Sequence, residues 1–405
     1  MNYSIEKAEG GVTAPEGFRS ASLHCGIKAK AGALDLAVLA TDEPATAAGL
    51  FTTNLAKAAP VLVSQHHLTS TSGRARAVVV NSGCANACTG DDGMANAVRM
   101  TAETAAALGC AAEEVLVAST GVIGVGLKMD RVVPGIRTAA AALARETGTD
   151  MARAIMTTDP FPKECAVEVT TPRGTFRVGG TAKGSGMIEP NMATMLGFIT
   201  TDAAVPPELL RRALTDSAQR TFNAITVDGE CSTNDCVFAM ASGAAGVPVD
   251  EDLYPVLRAA FYEVSRELAM AIVRGGEGAT KLITINVTHA ATEADAMRVA
   301  KTIANSPLVK TAVHGADPNW GRIVAAAGRS GVLFDVARAT VHVGGTLLFE
   351  HGLPHDDAAP IAAEHLKGTD VRIDVDLGTA GRADATVWTC DLSAEYVRIN
   401  GEYRT

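Results

Sequence analysis

The chain of 405 residues is 47% hydrophobic and 20% charged, a composition typical of soluble globular proteins, and only 4% of its residues are aromatic. This length predicts either two or three domains or one large layered unit. The net charge of −10 argues against nucleic acid or an anionic membrane as the main partner, because both bind a concentrated basic surface.

Neither a signal peptide nor a transmembrane helix is predicted. The N-terminal segment MNYSIEKAEGGVTAPEGF has no charged-then-apolar pattern, and no apolar run is long enough to cross a bilayer. We therefore expect a cytoplasmic protein with its eight cysteines as free thiols. Two cysteine pairs, Cys84/Cys88 and Cys231/Cys236, resemble half of a zinc site, but neither has a partner pair at the usual spacing, so we expect no metal.

In chain order, strand-like runs alternate with helix-like runs through the first 219 residues. We predict strands at residues 76–83, 114–120, 166–183 (a hairpin through TPRG) and 194–202. We predict helices at residues 94–109, closed by a glycine, and at about 206–219.

The second half continues in the same way. We predict strands at residues 223–229, 235–243, 279–290 and 339–352 (a pair), helices at 252–276 and 293–305, and antiparallel strands from 370 almost to the end. A strand pattern reaching the terminus predicts a tail that is held in place. Because strands come in pairs as often as they alternate with helices, we predict mixed α/β layers, with two halves packed into one body.

The common active-site motifs are absent. GVIGVG at 121–126 has its glycines in the wrong order for a dinucleotide fingerprint, and GGEGATK at 275–281 lacks the P-loop spacing. The chain has neither a G-x-S-x-G nucleophile motif nor H-E-x-x-H. The function must therefore be sought in less common patterns.

The first such pattern is the Ala193–Thr194 pair, between a glycine-rich loop and an apolar run. The Thr194 hydroxyl could attack the preceding carbonyl, convert the amide to an ester, and leave Thr194 as a new N-terminus after hydrolysis. The freed α-amine, with a reference pKa of about 7.7–8.0, could then act as the base for its own hydroxyl. The plainer interpretation is a threonine in an ordinary strand.

Three further segments could serve such a nucleophile. Thr120 and Gly121 end a predicted strand, where a hydroxyl and backbone N–H groups can form an oxyanion hole, or simply a turn. Lys183 could bind a substrate carboxylate or lie in solvent, and Glu277, flanked by glycines, could receive a substrate amine. The doublet Thr157-Thr158 caps no obvious helix.

Eight segments, in order, carry a resemblance to a known family. They are NSGCANACTG, STGVIG, IMTTD, AKGSGMIEPNMATML, VDGECSTND, RGGEGATK, VKTAVHGADPNWGR and YVRINGEYRT. With these segments the chain resembles, over essentially its whole length, the glutamate N-acetyltransferases of arginine biosynthesis, also called ornithine acetyltransferases. Cys84 stands where asparagine is the commoner family residue, a departure that affects no catalytic assignment.

The resemblance implies a fold, a self-cleavage step and an assembly of the resulting subunits. It implies a self-processing layered α/β sandwich, similar to that of some self-processing aminopeptidases, with two intertwined halves. Cleavage between Ala193 and Thr194 would give an alpha subunit (1–193) and a beta subunit (194–405), and two of each would form a heterotetramer.

The resemblance also implies a reaction. Thr194 would take the acetyl group of N-acetylornithine as an ester, release ornithine, and pass the acetyl group to glutamate, which gives N-acetylglutamate in a ping-pong cycle. No cofactor is expected, and acetyl-CoA remains open as a second donor. By position, Thr120 and Gly121 would stabilise the oxyanion. The residues implied in substrate binding are Thr157 (with Thr158 as the alternative), Lys183, Thr194, Glu277, Asn400 and Thr405.

Two other functions remain to be distinguished. One is a self-processed amidase or aminopeptidase, in which water rather than an amine resolves the acyl-threonine. The other is a binding or regulatory protein that retains the scaffold without the reaction; an uncleaved chain of 41.7 kDa would favour it.

Overall fold

The computed structural model describes residues 2–189 and 195–402. The strands are β1 (Ser4–Ala8), β2 (Phe18–Leu23), β3 (Leu36–Phe51), β4 (Arg74–Cys84), β5 (Val115–Val122), β6 (Lys163–Thr171), β7 (Gly174–Lys183), β8 (Leu196–Thr201), β9 (Cys236–Ala241), β10 (Leu282–Ala290), β11 (Thr340–Val343), β12 (Thr346–Glu350), β13 (Leu353–Pro354), β14 (Asp370–Asp376) and β15 (Ala383–Cys390). The helices are α1 (Ala59–Ser70), α2 (Gly90–Leu108), α3 (Met129–Ala141), α4 (Gly148–Ala154), α5 (Pro207–Gln219), α6 (Tyr254–Arg274), α7 (Glu293–Ala304), α8 (Pro307–His314), α9 (Trp320–Gly328), α10 (Ala359–Leu366) and α11 (Ala394–Glu402).

The larger sheet combines strands from both sides of position 194. Its order is β1-β6-β7-β8-β9-β3-β4-β5, with β2 paired to β3. Strands β8 and β9 follow position 194 in the chain, yet they lie between β7 and β3. This arrangement confirms the layered α/β fold with intertwined halves.

Burial explains why the central strands carry so few polar residues. Every residue of β8 and of β9 is buried, so both faces of these strands must be compatible with a core. Helix α6 packs on β6 and β7 through a stripe at helical spacing that includes Leu257, Phe261 and Leu268. Burial of each such side chain contributes about 1.5–3 kcal/mol.

The smaller sheet lies entirely after position 194. Its order is β13-β12-β11-β14-β10-β15, and α7 packs on β10 and β15. Strand β10 pairs in parallel with β14 and antiparallel with β15. The last two strands are therefore separated by β10.

Most predicted elements are confirmed, including β4, β5, the β6–β7 hairpin, β8, β9, β10, α2, α5, α6 and α7. Helix α2 ends as expected, because Gly109 adopts φ +69° in the left-handed region that closes helices. None of the helices in the described part of the chain is long and apolar enough to cross a membrane.

Two predicted strands are wrong. Residues 223–229 begin in a short 3₁₀ helix, Phe222–Ala224, and continue as turns whose polar groups bond to neighbouring loops. Residues 394–402 form α11 instead of a strand. Because this helix buries no residue, its sequence has no apolar stripe with a helical period. Arg398 stabilises the helix by pairing with Glu395 and Glu402 on the same helix.

Candidate active site

A cleft of about 140 Å³ lies where β7 ends and β8 begins. Its lining comes from segments far apart in the sequence. It includes Thr120, Gly121, Thr157, Thr158, Lys183, Glu277 and Asn400, all of which the sequence singled out. Ala193, Thr194 and Thr405 lie outside the described residues. Met195, which follows Thr194 in the chain, lines the cleft.

The end of β5 brings Thr120 and Gly121 to the cleft. Strand β5 pairs in parallel with β4, which sets Gly121 opposite Gly83. Gly121 has φ +131°, and a Cβ at this position would lie 2.4 Å from the carbonyl carbon of Gly83, so only glycine fits. Thr120 is buried, with 7% of its surface exposed.

Lys183 connects the end of β7 to this turn. Its Nζ donates a hydrogen bond of 3.3 Å to Thr120 Oγ1. Because the hydroxyl oxygen accepts this bond, the hydroxyl proton remains available for another acceptor. Lys183 has two further protons, which can bind an anion in the cleft.

A buried ion pair beneath the cleft was missed by the sequence analysis. Lys163 Nζ donates to Asp159 Oδ1 over 2.6 Å, and both side chains are fully buried. The same carboxylate accepts the backbone N–H groups of Thr157 (2.9 Å) and Gly184 (2.8 Å). Asp159 thus fixes both the threonine doublet and the residue after Lys183.

The electrostatics of this pair favour the charged carboxylate. Burial by itself would raise the pKa of Asp159, but Lys183 and Lys163 outweigh it and hold this pKa at about 2. Asp and Lys four residues apart in IMTTDPFPK were a possible signal, although nothing in the sequence indicated that both are buried.

Glu277 reaches the cleft from the loop after α6. Its backbone N–H donates to Ser185 O over 3.0 Å, and its carboxylate accepts from Asn400 Nδ2 over 2.8 Å. A Cβ on Gly186 would lie 2.4 Å from Glu277 Oε2, so this glycine leaves the space that the carboxylate occupies. Helix α11 approaches the same loop at Gly278, where a Cβ would lie 2.5 Å from Tyr396 N.

Asp228 and Tyr396 are two further cleft residues that the sequence analysis did not assign. Asp228 accepts the backbone N–H groups of Met187 (2.7 Å) and Ile188 (2.8 Å), and the Tyr396 hydroxyl donates to it over 3.3 Å. Burial and the nearby Asp228 raise the pKa of Tyr396, so its phenol stays protonated. Both residues lie in segments quoted for the resemblance, which was the available signal.

Asp235 is the third unassigned acid. It lines the cleft with only 3% of its surface exposed, and burial raises its pKa well above the usual value. Lys183 and Ser232 act in the opposite direction. The neighbouring Asn234 has a structural role, because its Nδ2 donates hydrogen bonds to the backbone carbonyl groups of Ala85 and Ser119.

Among the described residues, no group of three or more His, Cys, Asp or Glu side chains could hold a metal ion. The side chains that line the cleft can perform acid–base chemistry, stabilise an oxyanion and form ion pairs. The lining includes one lysine, Lys183, and the carboxylate side chains Asp228 and Glu277.

Comparison with known proteins decides the family. A family model described as the ArgJ family matches residues 19–405. The chain belongs to the ArgJ family. The arginine biosynthesis bifunctional protein ArgJ of Symbiobacterium thermophilum is 50% identical over 407 residues, covering 99% of this chain and 100% of that protein. The protein of the same name from Dehalococcoides mccartyi is 48% identical over 410 residues, covering 100% of both.

Two solved structures are also similar to this chain. The arginine biosynthesis bifunctional protein of Bacillus halodurans is 41% identical, with a TM-score of 0.49, and the match covers 51% of this chain and 98% of that one. An ornithine acetyltransferase of Mycobacterium tuberculosis, solved in complex with ornithine, is 44% identical, with a TM-score of 0.43, and the match covers 47% of this chain and 100% of that one.

Proposed function

We propose that this ArgJ-family chain is a self-cleaving acetyltransferase of arginine biosynthesis, which moves the acetyl group of N-acetylornithine to glutamate. The observation that carries the proposal is the cleft, because residues from distant segments converge beside Met195, the residue that follows Thr194. The names of the relatives support the pathway, and the ornithine complex of the Mycobacterium protein supports the substrate class.

The first step of the proposal is maturation. Thr194 attacks the Ala193 carbonyl, and hydrolysis of the resulting ester gives subunits 1–193 and 194–405, which assemble as a heterotetramer of two alpha and two beta subunits. Glycines in the preceding loop, such as Gly184 and Gly186, favour the close approach that this attack requires. N-terminal sequencing tests the cleavage, and light scattering tests the assembly.

The second step is acetyl transfer. The Thr194 hydroxyl attacks the acetyl carbonyl while its α-amine takes the hydroxyl proton, and the same amine then protonates the departing nitrogen of ornithine. Thr120 and the Gly121 N–H stabilise the oxyanion; loss of one such donor typically costs about 2.7–4 kcal/mol of barrier. Glutamate then attacks the ester and restores the threonine hydroxyl.

The charged groups that line the cleft support a proposal for substrate binding. Lys183 binds the substrate α-carboxylate next to the oxyanion site, since its ammonium already lies 3.3 Å from Thr120 Oγ1. Glu277 binds an amine, with Asn400 holding its carboxylate in place. Thr157 and Thr158 both line the cleft, so either hydroxyl can contact substrate. Thr405, outside the described residues, is a further proposed substrate contact.

Replacement of the nucleophile tests the proposal. We expect Thr194→Ala to abolish both cleavage and transfer, leaving a 41.7 kDa chain on a denaturing gel, because one hydroxyl serves both reactions. Thr194→Ser, which retains a hydroxyl, is the matched control and should keep part of both activities. Robust transfer by Thr194→Ala would refute the shared nucleophile.

The acceptor separates this proposal from a hydrolase. With N-acetylornithine and glutamate together, N-acetylglutamate should form at the expense of acetate. Acetate release that glutamate does not divert would indicate an amidase. The description of the relatives as bifunctional favours a second activity, for which we propose acetylation of glutamate from acetyl-CoA; an assay with acetyl-CoA as the only donor tests it.

A further inference from the structure

Asp235 is a buried acid of the cleft to which the proposed reaction assigns no role. It directly precedes β9, and its Oδ2 atom has no hydrogen-bond partner among the residues that the structure describes. Strands β8 and β9 run in parallel with Leu196 opposite Cys236, and Cys236 N donates to Met195 O over 3.1 Å. Asp235 therefore lies beside the residue that follows the proposed nucleophile.

In the proposed acetyl exchange, Thr194 by itself accounts for only one of the two protons that the ornithine nitrogen gains. In the first half, the Thr194 hydroxyl proton passes through the α-amine to the departing nitrogen, which gives a neutral amine. One further proton is needed for ornithine to leave as an ammonium ion. In the second half, glutamate arrives as an ammonium ion and must lose one proton before it can attack. Its second amine proton returns through the α-amine to the threonine oxygen. One proton is thus donated first and recovered later.

We propose that Asp235 holds this proton: its carboxyl group protonates the departing ornithine amine, and the resulting carboxylate then takes a proton from the incoming glutamate ammonium. The proposal rests on the acetyl exchange proposed above. Each turnover then balances without solvent, because the proton that leaves on ornithine is replaced by the one that glutamate brings.

The other acids in or beneath the cleft are less suited to this role, and Glu230, which also lines it, is exposed to solvent. Lys163 and Lys183 keep Asp159 ionised, so it has no proton to give. Asp228 accepts two backbone N–H groups and the Tyr396 hydroxyl, and Asn400 donates to Glu277. Asp235 has an oxygen without a partner among the described residues, and burial raises its pKa, which favours the protonated form that the first half of the cycle uses.

The test compares two pairs of substrates in the Asp235→Asn variant. N-acetylornithine with glutamate needs the proton, whereas p-nitrophenyl acetate with hydroxylamine does not, since nitrophenolate leaves as an anion and hydroxylamine arrives uncharged near neutral pH. We expect transfer with the natural pair to fall at least about 100-fold, the usual contribution of a general acid–base group. Self-cleavage and transfer with the artificial pair should stay close to those of the unmodified protein.

Two variants guard against a merely structural effect. Asp202→Asn removes another buried acid with a raised pKa, one that does not line the cleft and accepts the backbone N–H groups of Glu16 and Arg177; it should leave the ratio of the two rates unchanged. Asp235→Glu retains the carboxyl group and should recover part of the natural rate. All rates are measured per cleaved molecule, which corrects for incomplete folding.

The outcomes separate this inference from the proposed function. Equal loss with both pairs, or no loss with the natural pair, would overturn the role of Asp235. Absence of transfer from N-acetylornithine to glutamate in the unmodified protein would instead refute the proposed function.

Discussion

At the scale of single residues, the shape of the cleft depends on glycines, which have no side chain, as well as on the polar side chains that line it. Gly186 has no Cβ, and the Glu277 carboxylate occupies the space that one would fill. Because the obstructing atoms lie at the end of a flexible side chain, a larger residue here should displace Glu277 without unfolding the protein.

We therefore expect Gly186→Ala to raise the KM for N-acetylornithine about 10- to 100-fold, the equivalent of one hydrogen bond to a charged group, while self-cleavage persists. Steady-state kinetics and a denaturing gel measure the two effects. Gly126→Ala is the control, since a Cβ there meets nothing within 4 Å. An unchanged KM would show that the Glu277 carboxylate does not bind the substrate amine.

The buried pair of Asp159 and Lys163 predicts a different pattern. Asp159→Asn leaves the Lys163 ammonium buried without a countercharge, which should cost about 3–5 kcal/mol, and Lys163→Met in addition should restore most of the loss. Denaturant unfolding in the uncleaved Thr194→Ala background measures both. Additive losses in the double variant would contradict the prediction.

Acid unfolding provides an independent check of this pair. Because the folded pKa of Asp159 is about 2, below its usual 3.8, the associated stability is complete above the usual value and disappears as the pH falls towards 2. The double variant should lack that part of the acid dependence.

At the scale of elements, α11 closes one side of the cleft although none of its residues is buried. Its contacts to the cleft are the bonds from Tyr396 to Asp228 and from Asn400 to Glu277, together with the close approach to Gly278. With so few contacts among the described residues, this helix would, in the proposed reaction, contribute to substrate binding much more than to stability.

We expect Asn400→Ala to raise KM about tenfold with little change in melting temperature, and deletion of residues 400–405 to raise it further while self-cleavage persists. Arg398→Ala, on the same helix but paired among the described residues with Glu395 and Glu402, is the matched control. Equal effects of the two substitutions would mean that only the stability of the helix matters.

The elements that could be predicted from the sequence are those whose buried apolar residues recur with the period of a helix or form a continuous apolar strand. The apolar stripe of α6 and the fully buried runs of β8 and β9 were recognised, whereas the unburied α11 and the hydrogen-bonded turns at 223–229 were not. For the cleft, Lys183 and Glu277 were singled out by their glycine-rich surroundings and then by the family resemblance. Asp159 and Asp235 were missed because their significance comes from burial and from partners distant in sequence.

At the scale of the whole molecule, the larger sheet makes the two halves interdependent. Without β8 and β9, the segment 1–193 would retain two separate groups of strands with β7 and β3 as open edges. Open, apolar edges of this kind promote aggregation.

We therefore expect residues 1–193 and 194–405, produced separately, to be insoluble, and their co-expression to restore soluble protein. The cleaved complex should unfold in one cooperative transition, which calorimetry can measure. A soluble 1–193 segment that unfolds cooperatively by itself would show that the halves are independent domains.

The pairing of β7 with β8 also determines whether the proposed self-cleavage depends on protein concentration. Lys183 lies opposite Leu196, so the segment that contains the proposed cleavage site is the connection between two adjacent antiparallel strands of one chain. The described groups around that connection are supplied by the same molecule. Cleavage would then follow first-order kinetics whose half-time does not change on dilution, and the average delay between folding and activity would be the same however scarce the protein is in the cell.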